Sequence, residues 1–397
     1  MLNRFAPAVQ FLLAINVLAG SFLALACVSA VAEPGVDKTK ILFGQAAVLE
    51  GPAAALGQGM RLGLLAAFAE ANRLGGVHQR QLELISLNDD YEPEKSINAT
   101  QQLINKDKVF ALVGAVGTPT ALAAQPIAAA AGVPFIGAFT GAEFLRSQFQ
   151  RDVVNVRASY FQETEAIVDH LIKDRHISRI AILYQDDSFG LAGLAGVQQA
   201  LARRKMSLVA DATFERNTTA VKMALWTIRK AQPEAVIMIG PYRPCTAFIR
   251  LAHQLQMKPL FASISFVGSD ALAKELGSEG AGVFVSQVVP FPADDSIPFV
   301  ARYHHALAAF DPTATPGFVS LEGYLVGRLI VAALEKGPEA PTRRALLDTI
   351  SNNSFDFLGM HLAYHPDDNR GSNTVFLTMV GADGKSKPVK SFAEIPQ

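Results

Sequence analysis

Cysteine is nearly absent from this sequence. Cys27 and Cys245 are the only two in 397 residues, and Cys27 lies in a stretch read below as a removable leader. A processed chain would keep one thiol, which excludes an intrachain disulfide even in an oxidising compartment. Cys245 has no His or second Cys nearby in sequence, so it reads as an inert thiol. A charge excess is also missing: Lys+Arg 35 against Asp+Glu 36 leave a net charge of −1, and no long basic run occurs. Nucleic-acid binding by phosphate neutralisation is therefore not expected. "GAVG" at 114–117 lacks both the dinucleotide fingerprint and the P-loop lysine, so no cofactor is implied. His304 and His305 are adjacent and would face different ways on a helix, and "HPDDNRGSN" lacks the spacing of a calcium loop, so no metal site is expected. No Ser–His or Cys–His pairing stands out, which argues against an enzyme.

What is present is a globular composition, 50% hydrophobic and 18% charged. The length exceeds what one core usually serves, so two domains are expected. The first 32 residues differ from the rest. Arg4 gives a short positive region, Phe11 to Val28 is mostly apolar, and Ala30-Val31-Ala32 puts small residues where a signal peptidase cuts. A signal peptide cleaved before Glu33, and export to the periplasm, follow from this. The alternatives are a retained anchor or lipidation at Cys27, for which Ala24 stands where Leu is usual.

From Lys40 onward, short apolar runs alternate with longer amphipathic ones. "KILFGQAA", "QLELISLND", "VFALVGA" and "VPFIGA" read as strands. Between them lie helices from Leu56 to the Gly75-Gly76 stop, from Pro93 to Lys106 and from Thr120 to Ala131. The pattern pauses at "DVVNVRASYFQE" and restarts. "RIAILYQ", "SLVADATF", "EAVIMIG" and "LFASISF" are strands separated by helices up to Gln256. A third segment holds strand "GVFVSQVV", helices near 296–310, 318–336 and 342–352, and late strands "MHLAY" and "VFLTMV". The fold class is thus α/β, with two doubly wound parallel-sheet lobes and a ligand cleft between them. Such sheets bind ligands at the carboxyl ends of their strands.

The loops at those ends carry the candidate site. In "VGAVGTPTALAAQP" glycines and the hydroxyls of Thr118 and Thr120 gather where a strand hands over to a helix. The free N–H groups there suit a carboxylate; a threonine there could equally serve as a helix cap. "IGAFTGAEFLR" repeats the chemistry with Thr140, and adds Phe139. The second unit offers Phe189 in "YQDDSFG", Tyr242 in "GPYRPC", and Ser265 with Phe266 in "SISFVGS". One wall would be polar, the other aromatic.

The order and spacing of these segments resemble the type 1 periplasmic solute-binding proteins of the leucine/isoleucine/valine-binding family, which feed ABC importers. The markers are "EGPAAALGQGMRLGLLAAFAEANRLGGVHQRQLELISLNDD", "FALVGAVGTPTALAAQPIAAAAGVPFIGAFTGAEFLR", "RIAILYQDDSFG" and "SFVGSDAL". The resemblance implies two lobes, one from 33–157 plus 290–358 and one from 158–289 plus 359–397, with chain crossings near Ala158, Pro290 and Gly359. It implies that Thr118, Ala138 and Thr140 grip a carboxylate and that Phe189 and Tyr242 flank the ligand. It also places Leu56 where leucine-binding members carry Tyr. Two departures stand out. Those members set a Glu against the ligand's amino group where this chain has Ser265 and Phe266. They also carry a disulfide near the positions of Tyr91 and Gly117. A small carboxylate with an apolar or aromatic body is therefore favoured over a branched-chain amino acid, unless Asp186, Asp187 or Asp270 supplies the missing acid. The expected partners are that small molecule and an ABC transporter permease, with the protein a monomer. The rival reading is a ligand-sensing module for a signalling partner.

Overall fold

The computed structural model describes residues 33–394. The expected signal peptide, with Cys27, lies outside the described residues.

The first sheet grows from local alternation. Strand β1 (Lys40–Ala47) is followed by helix α1 (Ala54–Arg73), then β2 (Gln81–Asn88), α2 (Pro93–Asn105), β3 (Ala111–Val113), α3 (Thr118–Ala130), β4 (Phe135–Ile136) and β5 (Val153–Val154). The strand order is β2-β1-β3-β4-β5, and every pairing is parallel. The order reverses between β1 and β3, so the crevice at their carboxyl ends is where a doubly wound sheet takes ligand.

The second sheet repeats this plan. Helix α4 (Tyr160–Arg175) leads into β6 (Ile180–Gln185), α5 (Ser188–Ala202), β7 (Ala210–Phe214), α6 (Lys222–Lys230), β8 (Ala235–Ile239), α7 (Tyr242–Gln254), β9 (Leu260–Ser263), α8 (Ser269–Leu276) and β10 (Phe284–Gln287). Its parallel part runs β7-β6-β8-β9-β10, with the reversal between β6 and β8. The stretch read as a pause contains α4. Ser159 and Gln162 form a reciprocal capping box at its start, and that Ser-x-x-Gln spacing was the signal available in the sequence. The sheet is not wholly parallel. After helices α9 (Pro298–Phe310), α10 (Phe318–Lys336) and α11 (Arg343–Ser351), and the hairpin strands β11 (Ser354–Asp356) and β12 (His361–Ala363), the chain returns as β13 (Phe376–Val380) and β14 (Ser386–Val389). These add an antiparallel edge beside β10.

Helix α10 packs on α1 through a glycine seam. A Cβ on Gly63 would stand 1.9 Å from the Ser320 carbonyl oxygen, and one on Gly323 would stand 2.3 Å from that of Met60. Backbone meets backbone there, because glycines at i and i+4 share a helix face. Sixteen of the 19 residues of α10 are buried, Glu322 and Arg328 among them. Arg328 reaches Glu70 of α1 at 3.2 Å. The segments that pass between the sheets lie side by side: Asn155 N donates to Asn369 O, and Gly371 N to Asn155 O.

Candidate functional site

Gly117 ends the loop after β3 with φ 106°, a conformation that favours glycine. It precedes α3 without a side-chain cap. The two threonines that follow part company. Thr120 Oγ1 donates back to the carbonyls of Val116 (2.5 Å) and Gly117 (3.1 Å). Thr118 Oγ1 instead lies 2.7 Å from Thr140 Oγ1, and both residues are buried. The two strand-end loops therefore meet through hydroxyls. Ala138 packs its methyl into the alanine-rich core beneath α3, so it can offer a ligand only its backbone.

Aromatic rings from both sheets close over this point. Phe139 lies 5.4 Å from Phe266, Phe189 lies 4.4 Å from Phe266, and Tyr160 lies 5.5 Å from Phe189, between ring centroids. Tyr91 also approaches Phe266, at 6.1 Å. Its ring covers Gly117, whose Cβ, if present, would be 2.2 Å away. An aromatic contact thus joins the two positions at which the resemblance implied a disulfide elsewhere. Neither Tyr91 nor Tyr160 was read as a site residue in the sequence. Tyr242 and Leu56 do not join the ring cluster. Both approach Gly268, and Leu56 lines a cavity of about 670 Å³ with Gly268, Asp270, Lys274, Phe291 and Phe318.

The expectation that Ser265 stands without an acid is corrected. Ser265 N and Oγ donate to the two carboxylate oxygens of Glu163, at 2.8 and 3.0 Å, and Ser286 Oγ donates at 2.7 Å. Glu163 rises from α4, the helix missed in the sequence. The three aspartates held in reserve are otherwise placed. Asp186 is exposed. Asp187 caps α5 by accepting from Phe189 N and pairs with Arg216. Asp270 accepts from Phe318 N at the start of α10. Arg157 sits beside Glu163, fully buried, and donates through Nη2 to Ser265 Oγ.

A second contact set joins the loop after β2 to the ends of β6 and β7. Arg216 reaches Glu92 (2.7 Å) and Asp187 (3.0 Å). Asn217 Nδ2 donates to the Asp90 carbonyl and to Glu92, and Gln185 Nε2 donates to the Tyr91 hydroxyl. Among the described residues no group of His, Cys, Asp and Glu could hold a metal. Burial pushes the Cys245 thiol up to about 12, the reverse of an activated nucleophile.

Three buried carboxyls are raised, in each case chiefly through burial: Asp89 and Glu322 to about 7, and Glu163 in the same direction. The unfolded chain would hold all three near 4. Between those values the folded state binds more protons, so stability rises as pH falls from about 8 towards 5. The carboxyls with lowered values, such as Asp90 and Glu234, lose stability only below that window. A thermal melt at pH 5.5 is expected to give a higher Tm than one at pH 8; an equal or lower value would contradict these burial effects.

Two lobes of like strand order, with a polar and aromatic cluster where their strand ends meet, define a two-lobed α/β binding protein. Residues 40–385 match the periplasmic binding protein family, and the chain belongs to it. The family is extracytoplasmic, and the chain is a binding protein, not an enzyme. It is similar to the solved structure of a possible leucine/isoleucine/valine-binding protein from Rhodopirellula baltica SH 1. The identity is 39% and the TM-score 0.85, over 91% of this chain and 99% of that one. It is also similar to the Leu/Ile/Val-binding protein BraC3 of Rhizobium johnstonii, 25% identical over 79% of this chain and 83% of that one. The Leu/Ile/Val-binding protein homolog 7 of Brucella suis is 24% identical over 60% of this chain. That match spans 61% of the relative's length.

Proposed function

We propose that this protein is an extracytoplasmic solute-binding protein that delivers a small carboxylate with an apolar or aromatic body to the permease of an ABC importer. The observation that carries the reading is the Thr118–Thr140 hydroxyl pair set against the rings of Phe139, Phe189 and Phe266. Hydroxyls and nearby backbone N–H groups suit a carboxylate, and the rings suit an apolar body. The working unit is a monomer starting at Glu33, with lobes of 33–157 plus 290–358 and 158–289 plus 359–397. The separate membership of β1–β5 and of β6–β10 with β13 and β14 supports two lobes, as does the packing of α10 on α1, while the β11–β12 hairpin spans the boundary at 359 and favours a crossing nearer Asn369. Solute draws the lobes together as a hinge closes.

A calorimetric panel of leucine, isoleucine, valine, phenylalanine and their deaminated analogues tests the reading. Binding of a deaminated acid, recovered unchanged by mass spectrometry, is the expected result. Tight binding of leucine with no response to any acid would overturn the ligand class but not the binding role. Closure also has its own test. The contact of Arg216 with Glu92 crosses between the lobes and forms only when they meet, whereas its pair with Asp187 lies within one lobe, and a part-exposed pair of this kind is worth up to about 1 kcal/mol. Arg216→Ala is expected to weaken solute affinity about fivefold with little change in Tm. An unchanged affinity would remove the Arg216–Glu92 pair from the closing step.

A further inference from the structure

Arg157 is buried on every side, yet its hydrogen-bonding capacity is largely unused. Nη2 donates to Ser265 Oγ. Nε and Nη1 have no partner, and neither do the Tyr160 hydroxyl and Glu322 Oε1. The guanidinium lies 4.6 Å from the Phe139 ring centroid, 3.7 Å from Glu163 Oε1 and 3.5 Å, through Nε, from Glu322 Oε1. It therefore stands at the junction of the aromatic wall and the polar nest. Unpaired N–H groups at such a point cost free energy until something accepts from them.

The charges around it do not balance in the free protein when Glu322 is neutral. Arg146 and Arg157 are cations. Arg146 gives its N–H groups to the carbonyls of Ala142 and Thr140. Glu163 is raised by burial too, but its two oxygens accept from three donors and face Arg157 at 3.7 Å, and it supplies one negative charge. Burial drives Glu322 towards its neutral form, as does the charge of Glu163; Arg157 and Arg146 oppose this. The other charged neighbours of α10 are committed elsewhere: Asp270 caps its first turn, and Arg328 is paired with Glu70, which also accepts from the Tyr324 hydroxyl. With Glu322 protonated, two cations face one anion. A bound monocarboxylate would cancel the excess and fill the empty N–H positions in one step. A zwitterion would leave the excess in place.

We propose that Arg157 is the anion anchor of this site and that a monocarboxylate binds together with one proton held on Glu322. This rests on the reading of the buried cluster as the solute site. The ligand class narrows to acids without an ammonium group, and the hydroxyls of Thr118 and Thr140 become orienting contacts beside a cationic anchor.

The test is calorimetric titration of the protein with benzoate, phenylacetate, 4-methyl-2-oxopentanoate and leucine at pH 6 and pH 8.5, in buffers of different ionisation enthalpy. These acids stay ionised throughout, so their own titration does not intrude. At least one acid is expected to bind about tenfold or more weakly at pH 8.5, taking up close to one proton there. Glu322→Gln is expected to flatten the pH profile and to bind that acid more tightly than the wild type at pH 8.5. Arg157→Lys is expected to lose at least about tenfold in affinity at both pH values. Should that variant fail to fold, the Glu322→Gln profile decides alone. A flat wild-type profile, an unchanged Arg157→Lys affinity, or silence from all three acids would overturn the proposal. Tight, pH-independent binding of leucine would overturn it too, yet leave the solute-binding role standing.

Discussion

Thr118→Val is expected to weaken solute binding by roughly 1.5–3 kcal/mol, the range for a hydrogen bond to a charged group. The fold should tolerate it. The Thr118 hydroxyl is bonded to Thr140 Oγ1, and the helix start that Thr118 occupies relies on Gly117, not on a side-chain cap. Thr140→Val is less clean, because Thr140 Oγ1 also accepts from Ala142 N at 3.2 Å. It should add a stability cost of about 1 kcal/mol to a similar binding loss. Each single change removes a partner from the other hydroxyl, so the double variant should lose less than the sum. Titration of the wild type, both singles and the double gives the cycle. Two singles that bind like wild type would take these threonines out of the site.

The largest loss of stability is expected at Gly63. Any side chain there enters space held by the Ser320 carbonyl and the Tyr324 amide, at 1.9 and 2.5 Å from a Cβ. Backbone cannot rotate aside as a side chain can. Gly63→Leu must push α1 and α10 apart along the seam, at an expected cost of about 3–5 kcal/mol. Gly75→Ala is the control for lost glycine, since a Cβ there meets nothing within 4 Å although its φ is 100°. Chemical denaturation of both variants measures the difference. A Gly63 variant no less stable than the Gly75 variant would show that the helices can separate freely.

The strands, the helix-stopping glycines and the threonine loops were legible because each is a local pattern of at most a dozen residues. Strand β1 and helix α10 appear with the bounds that periodicity gave them. The threonines could be found, but not told apart. In the fold Thr120 bonds back to the carbonyls four and three residues before it, as helical threonines do, while Thr118 faces Thr140 from the neighbouring loop. The charged half of the cluster was out of reach for another reason. Arg157, Glu163 and Glu322 come from the chain crossing, from α4 and from α10, and no spacing links residues 163 and 322. A hint did exist: Glu322 and Arg328 interrupt a largely apolar helix, and a charge on a buried face requires a partner. The resemblance placed an acid at the position of Ser265. The protein reaches the same neighbourhood with an acid from another element.

The shared strand order of the two sheets bears on how such a protein can diverge. Both sheets reverse direction at the equivalent pair of strands, so both present loops to one meeting point from matched frameworks. The chemistry of that meeting point, the Thr118 and Thr140 hydroxyls among the rings of Phe139, Phe189 and Phe266, belongs to those strand-end connections. Descendants could therefore exchange residues in a few short connections and acquire new cargo, while the strands and the glycine seam, on which folding depends, stay under separate selection.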